Sequence, residues 1–154
     1  MKTAIIIGAS TGIGRATALA LSGKYNSISI TSFKHKEELL SLRDELMAKG
    51  CICYCETGDA GDMEFMEKFI QNTIDHLGSD IDLLINNAGI SYVGLINDMT
   101  AQDFDRTMKS NVYSVFNSCR LVVPHMIQHH KGHIINISSV WGNVGASCEV
   151  AYSA

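Results

Sequence analysis

Three groups of residues have the types and spacing to do chemistry. The first is Ile7-Gly8-Ala9-Ser10-Thr11-Gly12-Ile13-Gly14, which follows an apolar run and opens an amphipathic stretch. Glycines at such a turn let the backbone approach a pyrophosphate, and the N–H groups and dipole of the following helix attract its charge. The spacing is G-x-x-x-G-x-G, not G-x-G-x-x-G. No Lys-Ser/Thr pair follows it, which disfavours a nucleoside-triphosphate loop. The second group is His125, His129, His130 and His133, of which His125 and His129 are four apart and could share a helix face. No H-E-x-x-H pattern accompanies them, and Lys131-Gly132 looks like a helix exit, so a polar helix end is expected and no metal site. The third is Cys51, Cys53 and Cys55, alternating with Ile52 and Tyr54. That is the period of a strand, and it predicts three small buried side chains on one face in a reducing compartment.

The elements that must hold the loop alternate between short apolar strands and helix-length amphipathic segments. Strands are expected at Thr3 to Ile7, Asn26 to Ser32, Cys51 to Glu56, Ile81 to Asn86 and His133 to Ser138. Helices are expected at Arg15 to Ser22, Lys36 to Lys49 and Asp62 to Leu77, and from a Thr100 cap to about His130. Gly50 and Gly78 stand where helices end. Met108 and Met126 look like helix gap-fillers, and Pro124 should kink its helix. Strands that are apolar throughout are buried on both faces, as in a parallel sheet covered by helices. Four successive crossovers therefore predict an α/β fold: a doubly wound parallel sheet, Rossmann-like, in three αβα layers, over a single domain 1–154.

Composition narrows the function. The chain has 154 residues, 46% apolar and 18% charged, with 12 Lys and Arg against 16 Asp and Glu and a net charge of −4. This is a globular composition with no basic surplus for nucleic acid. No run is long enough to span a bilayer, and the four-residue apolar opening before Gly8 lacks a cleavage site, so export is not expected.

The loop, read with Asn86-Asn87-Ala88-Gly89, with Ser139 thirteen positions ahead of Tyr152, and with Asn111 in Lys-Ser-Asn-Val-Tyr, resembles the short-chain dehydrogenase/reductase family. Within it, the chain is most similar to 3-oxoacyl-[acyl-carrier-protein] reductases. Ser138 to Gly142 and Gly145 to Val150 also resemble a subgroup, the 5-aminopentanone reductases, acting on modified elongation factor P. The resemblance implies a cytoplasmic enzyme that reduces a ketone on a small or carrier-bound substrate with a nicotinamide dinucleotide. It implies homodimers or homotetramers formed through the helices from Thr100 to about His130. Tyr152 would supply the proton, Ser139 would bond the carbonyl oxygen and Asn111 would anchor a water relay. Asparagine is a poor helix-interior residue, consistent with a functional distortion at Asn111. Gly8, Ser10, Thr11, Gly12, Ile13, Gly14, Asn87, Ala88 and Gly89 would line the cofactor site, with Tyr152. Asp59 would contact adenine, or else cap the helix starting near Asp62.

An acid about 20 positions beyond the loop holds the ribose when NAD is used. Here Ser32, Phe33, Lys34, His35 and Lys36 precede any acid. With Ser32 and Lys34 at the strand end and Arg15 and Lys36 near, NADP is expected over NAD, although Thr11 replaces the family's commonest basic residue. The family's lysine would fall four positions after Tyr152, beyond Ala154, as would its last helix and strands. Taken alone, these residues would therefore form an incomplete domain with weak cofactor binding, little activity and a bare apolar edge at the fifth strand. A different class, a non-catalytic dinucleotide-binding module, has no use for Ser139, Tyr152 and Asn111 together.

Overall fold

The computed structural model describes residues 2–154. Among them, strands β1 (Thr3–Ile7), β2 (Ser27–Ser32), β3 (Ile52–Thr57), β4 (Ile81–Asn86) and β5 (His133–Asn136) form one sheet in the order β3-β2-β1-β4-β5. Every pairing is parallel. The chain starts in the middle, winds outward to β3, then crosses to β4 on the other side of β1. That reversal opens a crevice between β1 and β4 at their C-terminal ends, where such sheets take ligands.

Helices α1 (Gly12–Leu21) and α2 (Lys36–Ala48) cover one face, while α3 (Met63–Leu77) and α5 (Ser114–Gln128) cover the other. The period of two in β1 sends Ala4 and Ile6 to the first face and Ile5 and Ile7 to the second. All four are buried. Cys51, just ahead of β3, is buried as expected, but Cys53 and Cys55 are only partly buried because β3 is an edge strand; all three pack on the face of Leu39, Leu42 and Leu46. Desolvation raises the Cys51 and Cys55 thiols and pushes Cys53 up to about 12, so all three stay protonated and inert. Strand β2 departs from the apolar expectation, since Ser27, Ser29 and Thr31 are buried. The hydroxyls of Ser29 and Thr73 meet at 2.7 Å, and Thr31 donates to the Glu56 carbonyl at 2.6 Å.

Several boundaries differ from those the sequence suggests. Helix α1 begins at Gly12, inside the glycine loop, and β5 ends at Asn136. The long helix expected from Thr100 is not continuous. A capping box between Thr100 and Asp103 starts α4 (Ala101–Met108), a π-helical turn follows at Lys109–Tyr113, and α5 ends at Gln128. Pro124 lies inside α5. Two short helices, α6 (Trp141–Val144) and α7 (Val150–Ser153), complete the order. Strand β5 is exposed along its length, in keeping with the bare apolar edge expected at the fifth strand, whereas β1 and β2 are buried on both faces. No helix among the described residues is long and apolar enough to cross a membrane.

Candidate active site

The glycine loop is built by close approach. Gly8 has φ +84, and a Cβ there would lie 2.7 Å from the Ala88 backbone. A Cβ on Gly14 would lie 2.1 Å from the Gly8 carbonyl oxygen and 2.7 Å from Asn87 Nδ2. Only glycine lets α1 seat against the loop, while Asn87 Nδ2 donates to the Gly8 carbonyl at 2.7 Å. The N–H groups of Gly8 and Ala9 donate to the Thr31 carbonyl at 2.9 and 3.0 Å, which locks β1's end to β2's. Thr11 precedes the first turn of α1 in extended conformation, and its side chain makes no capping bond. The first N–H groups of the helix therefore keep donors and partial positive charge for an anion.

These segments enclose a cleft of about 320 Å³ at the strand ends. Gly8, Ser10, Thr11, Ser32, Lys34, Asp59, Asn87, Ala88 and Gly89 all line it. Gly12, Ile13 and Gly14 do not; Ile13 is 62% exposed, and Gly14 is buried beneath the loop. Ser32 donates to the Lys34 carbonyl, shaping the end of β2. Of the expected cations only Lys34 reaches the cleft. Arg15 is drawn to α2, where its guanidinium pairs with Glu45 and donates to the Glu38 carbonyl at 3.1 Å, and Lys36 opens that helix. Asp59 does not cap α3: Asp62 does, accepting from Glu64 N and Phe65 N. Asp59 instead accepts from the Gly61 N–H at 2.9 Å and pairs with Lys109 Nζ at 3.0 Å.

The remaining residues expected at the site come from the second half of the chain. Asn111 sits in the π-helical turn, where Oδ1 accepts from Ile90 N–H and Nδ2 donates to the Ile90 carbonyl, both at 2.8 Å. A widened turn spares a backbone step and aims this side chain at the loop after β4. Ser139 accepts from the Trp141 N–H at 3.2 Å through Oγ at the entry to α6. Tyr152 lies half-buried in α7. That helix is held over the loop after β4 by Ser91 donating to Glu149 and by Gly94 N–H donating to the Cys148 carbonyl at 2.7 Å. Asn111, Ser139 and Tyr152 do not line the cleft itself; they belong to segments beside its Ile90 end. Asn86 ties the second half to the first, donating to Asn136 Oδ1 at 2.8 Å and accepting from Ser118 Oγ at 2.7 Å.

Sequence reasoning missed two cleft cations, Arg106 and Lys109. Lys109 stands two positions before Asn111, but nothing in the local pattern announces its partner fifty residues away. The histidines separate: His129 approaches Asp80 and Ser79, and His76, not of that group, stacks on Tyr54 at 4.7 Å between ring centroids.

A parallel doubly wound sheet with a glycine loop and an uncapped helix start at its switch point defines a dinucleotide-binding fold. The family model for short chain dehydrogenases matches residues 2–154, and the chain belongs to that family. It is 33% identical over 153 residues to the 3-oxoacyl-[acyl-carrier-protein] reductase FabG of Staphylococcus aureus, covering 99% of this chain and 62% of that protein. It is 33% identical over 154 residues to an NADPH-dependent pterin aldehyde reductase of Arabidopsis thaliana, again covering 99% and 62%. A crystal structure of a 3-ketoacyl-ACP reductase from Sinorhizobium meliloti superposes with a TM-score of 0.91 at 28% identity, over 98% of this chain and 60% of that one. The chain thus spans about three-fifths of the length of these relatives.

Proposed function

We propose that the protein is an NADP(H)-dependent oxidoreductase that reduces a ketone to an alcohol, on a small or carrier-bound substrate, as the names of its relatives suggest. The observation that carries this reading is the cleft: the glycine loop through Thr11, just ahead of the uncapped α1, and the Lys34 end of β2 converge on one crevice. Its donors and cation fit an anionic dinucleotide. The N–H groups at the start of α1 would hold the pyrophosphate, and the close approach of Gly8 to Ala88 would let the two loops flank it. Lys34, which lines the cleft at a strand end free of carboxylates, would pair with a ribose 2′-phosphate.

When bound, a reduced nicotinamide dinucleotide would supply the hydride that the carbonyl carbon receives. Tyr152 gives its hydroxyl proton to the oxygen that becomes the alkoxide, so the product gains one hydride and one proton. Ser139 already accepts from Trp141 N–H, so its own O–H remains to donate to that oxygen. Asn111 fixes the loop at Ile90 through one N–H and one lone pair of its amide, leaving a second of each for a water that returns the proton. Apolar side chains half or more exposed at Tyr113 and Phe116, beside Val112 at 48%, support pairing of these helices between copies of the chain.

The test is to titrate the purified protein with NADPH and NADH by nicotinamide fluorescence and to follow loss of NADPH absorbance with acetoacetyl-coenzyme A. Tighter NADPH binding, with ketone-dependent oxidation lost in Tyr152→Phe, is the expected result. Binding of neither dinucleotide would sink the reading.

A further inference from the structure

The π-helical turn reaches two places at once. Its third residue, Asn111, bonds the loop after β4, and its first, Lys109, crosses to the loop after β3. The contact there is close. A Cβ on buried Gly61 would lie 2.5 Å from the Lys109 carbonyl oxygen and 2.6 Å from its Cγ, so a glycine lets the β3–α3 loop rest directly on the turn.

What Lys109 does at that contact is orient a carboxylate. Asp59 lines the cleft, and each of its oxygens is engaged by a different element: Oδ1 by the Gly61 N–H of its own loop, Oδ2 by Lys109. The terminal torsion of aspartate is soft, so one bond would leave the carboxylate plane free to turn. Two bonds from two directions fix it. A carboxylate has about four lone-pair sites, and two remain after these bonds. The hydrogen bond to Asp59 raises the Lys109 pKa, so the ammonium stays charged throughout the neutral range.

At 45% and 31% side-chain exposure the pair contributes little to stability. Its effect is geometric. A fixed anionic acceptor in a cleft that binds a dinucleotide selects a base presenting an N–H donor over one presenting a carbonyl oxygen. We propose that Lys109 is a positioning residue that aims Asp59 at the exocyclic amino group of adenine, so that this turn couples base recognition to the Asn111 end of the site. The inference rests on the cofactor reading above.

The test measures binding of NADPH and of its reduced hypoxanthine analogue, in which a carbonyl replaces the amino group. The proteins are the wild type, Lys109→Met and Lys109→Arg, each with a thermal melt. The wild type should prefer NADPH by about tenfold or more, the scale of a hydrogen bond to a charged group. Lys109→Met should shrink that ratio to less than about threefold, and Lys109→Arg should restore it. A purely structural role would weaken both ligands alike and leave the ratio intact, which overturns the proposal. So does a wild type that binds both equally, or a Lys109→Met protein that binds both more tightly. A wild type that melts cooperatively and binds neither dinucleotide overturns the cofactor reading itself.

Discussion

The two ends of the sheet's central crevice are held in different ways. At the phosphate-loop end, Gly8 and Gly14 meet the Asn87–Ala88 segment and each other with no room for a methyl group, and the strands β1 and β2 behind them are buried on both faces. Beside the other end, where Ser139 and Tyr152 lie, Ile134 and Ile135 of β5 and Ile137 after it are 37–46% exposed, and the start of α7 is tied to the 91–94 loop by two hydrogen bonds. Both regions descend from parallel strands of the same sheet. The difference teaches that the glycine-loop end is held by close packing, whereas the segments carrying Ser139 and Tyr152 are positioned by polar ties.

Substitutions can break this contrast. Ile5→Ala, at a fully buried position, should cost about 2–5 kcal/mol and sharply lower the Tm. Ile135→Ala, the same change at 46% exposure, should cost under about 1 kcal/mol. Equal losses in chemical denaturation would show that β5 is as well packed as β1. Gly14→Val should cost about 1–3 kcal/mol and abolish dinucleotide binding, because its Cβ meets the Gly8 carbonyl, which cannot move aside without displacing Asn87.

Smaller effects sharpen the comparison within the cleft. Lys34→Glu should weaken NADPH about tenfold relative to NADH, read as a ratio of dissociation constants. An unchanged ratio would remove Lys34 from the 2′-phosphate. The smallest effect concerns the tie at the foot of β5. Lys131 donates to Asp80 at 2.8 Å and pairs with Asp82 at 3.1 Å, and the bond from Lys131 holds the Asp80 carboxyl below the ordinary carboxylate range. A depressed carboxylate stabilises above its unfolded pKa, and that contribution is lost as pH falls through the folded one. Acid should therefore lower the Tm of the wild type slightly more than that of Lys131→Met, and a larger acid loss in the variant would contradict the pairing.

Much of the cofactor end was legible because its signals are local. Gly8 and Gly14 announce a turn and a close approach within eight residues, and the Leu39, Leu42 and Leu46 stripe marks α2 at its own period. Asn111 was legible as a disturbance, since asparagine suits a helix interior poorly, and a π-helical turn is what stands there. Arg15 misled because charge proximity along the chain is not proximity in space. Its long side chain reaches Glu45, thirty positions on, before it reaches the cleft. Lys109 was invisible because its significance lies wholly in Asp59.

The sequence by itself determined the parallel α/β architecture, the strand-helix alternation, the glycine loop and its place at the first helix. Periodicity, turn glycines and apolar runs act over a few residues and need no distant partner. Only the tertiary structure decided which side chains line the crevice made where the second half turns back at β1. It also decided that Arg15 leaves that crevice and Lys109 enters it. Those outcomes depend on which side chains the crossovers bring within reach, a property of the strand order and not of any local stretch of chain.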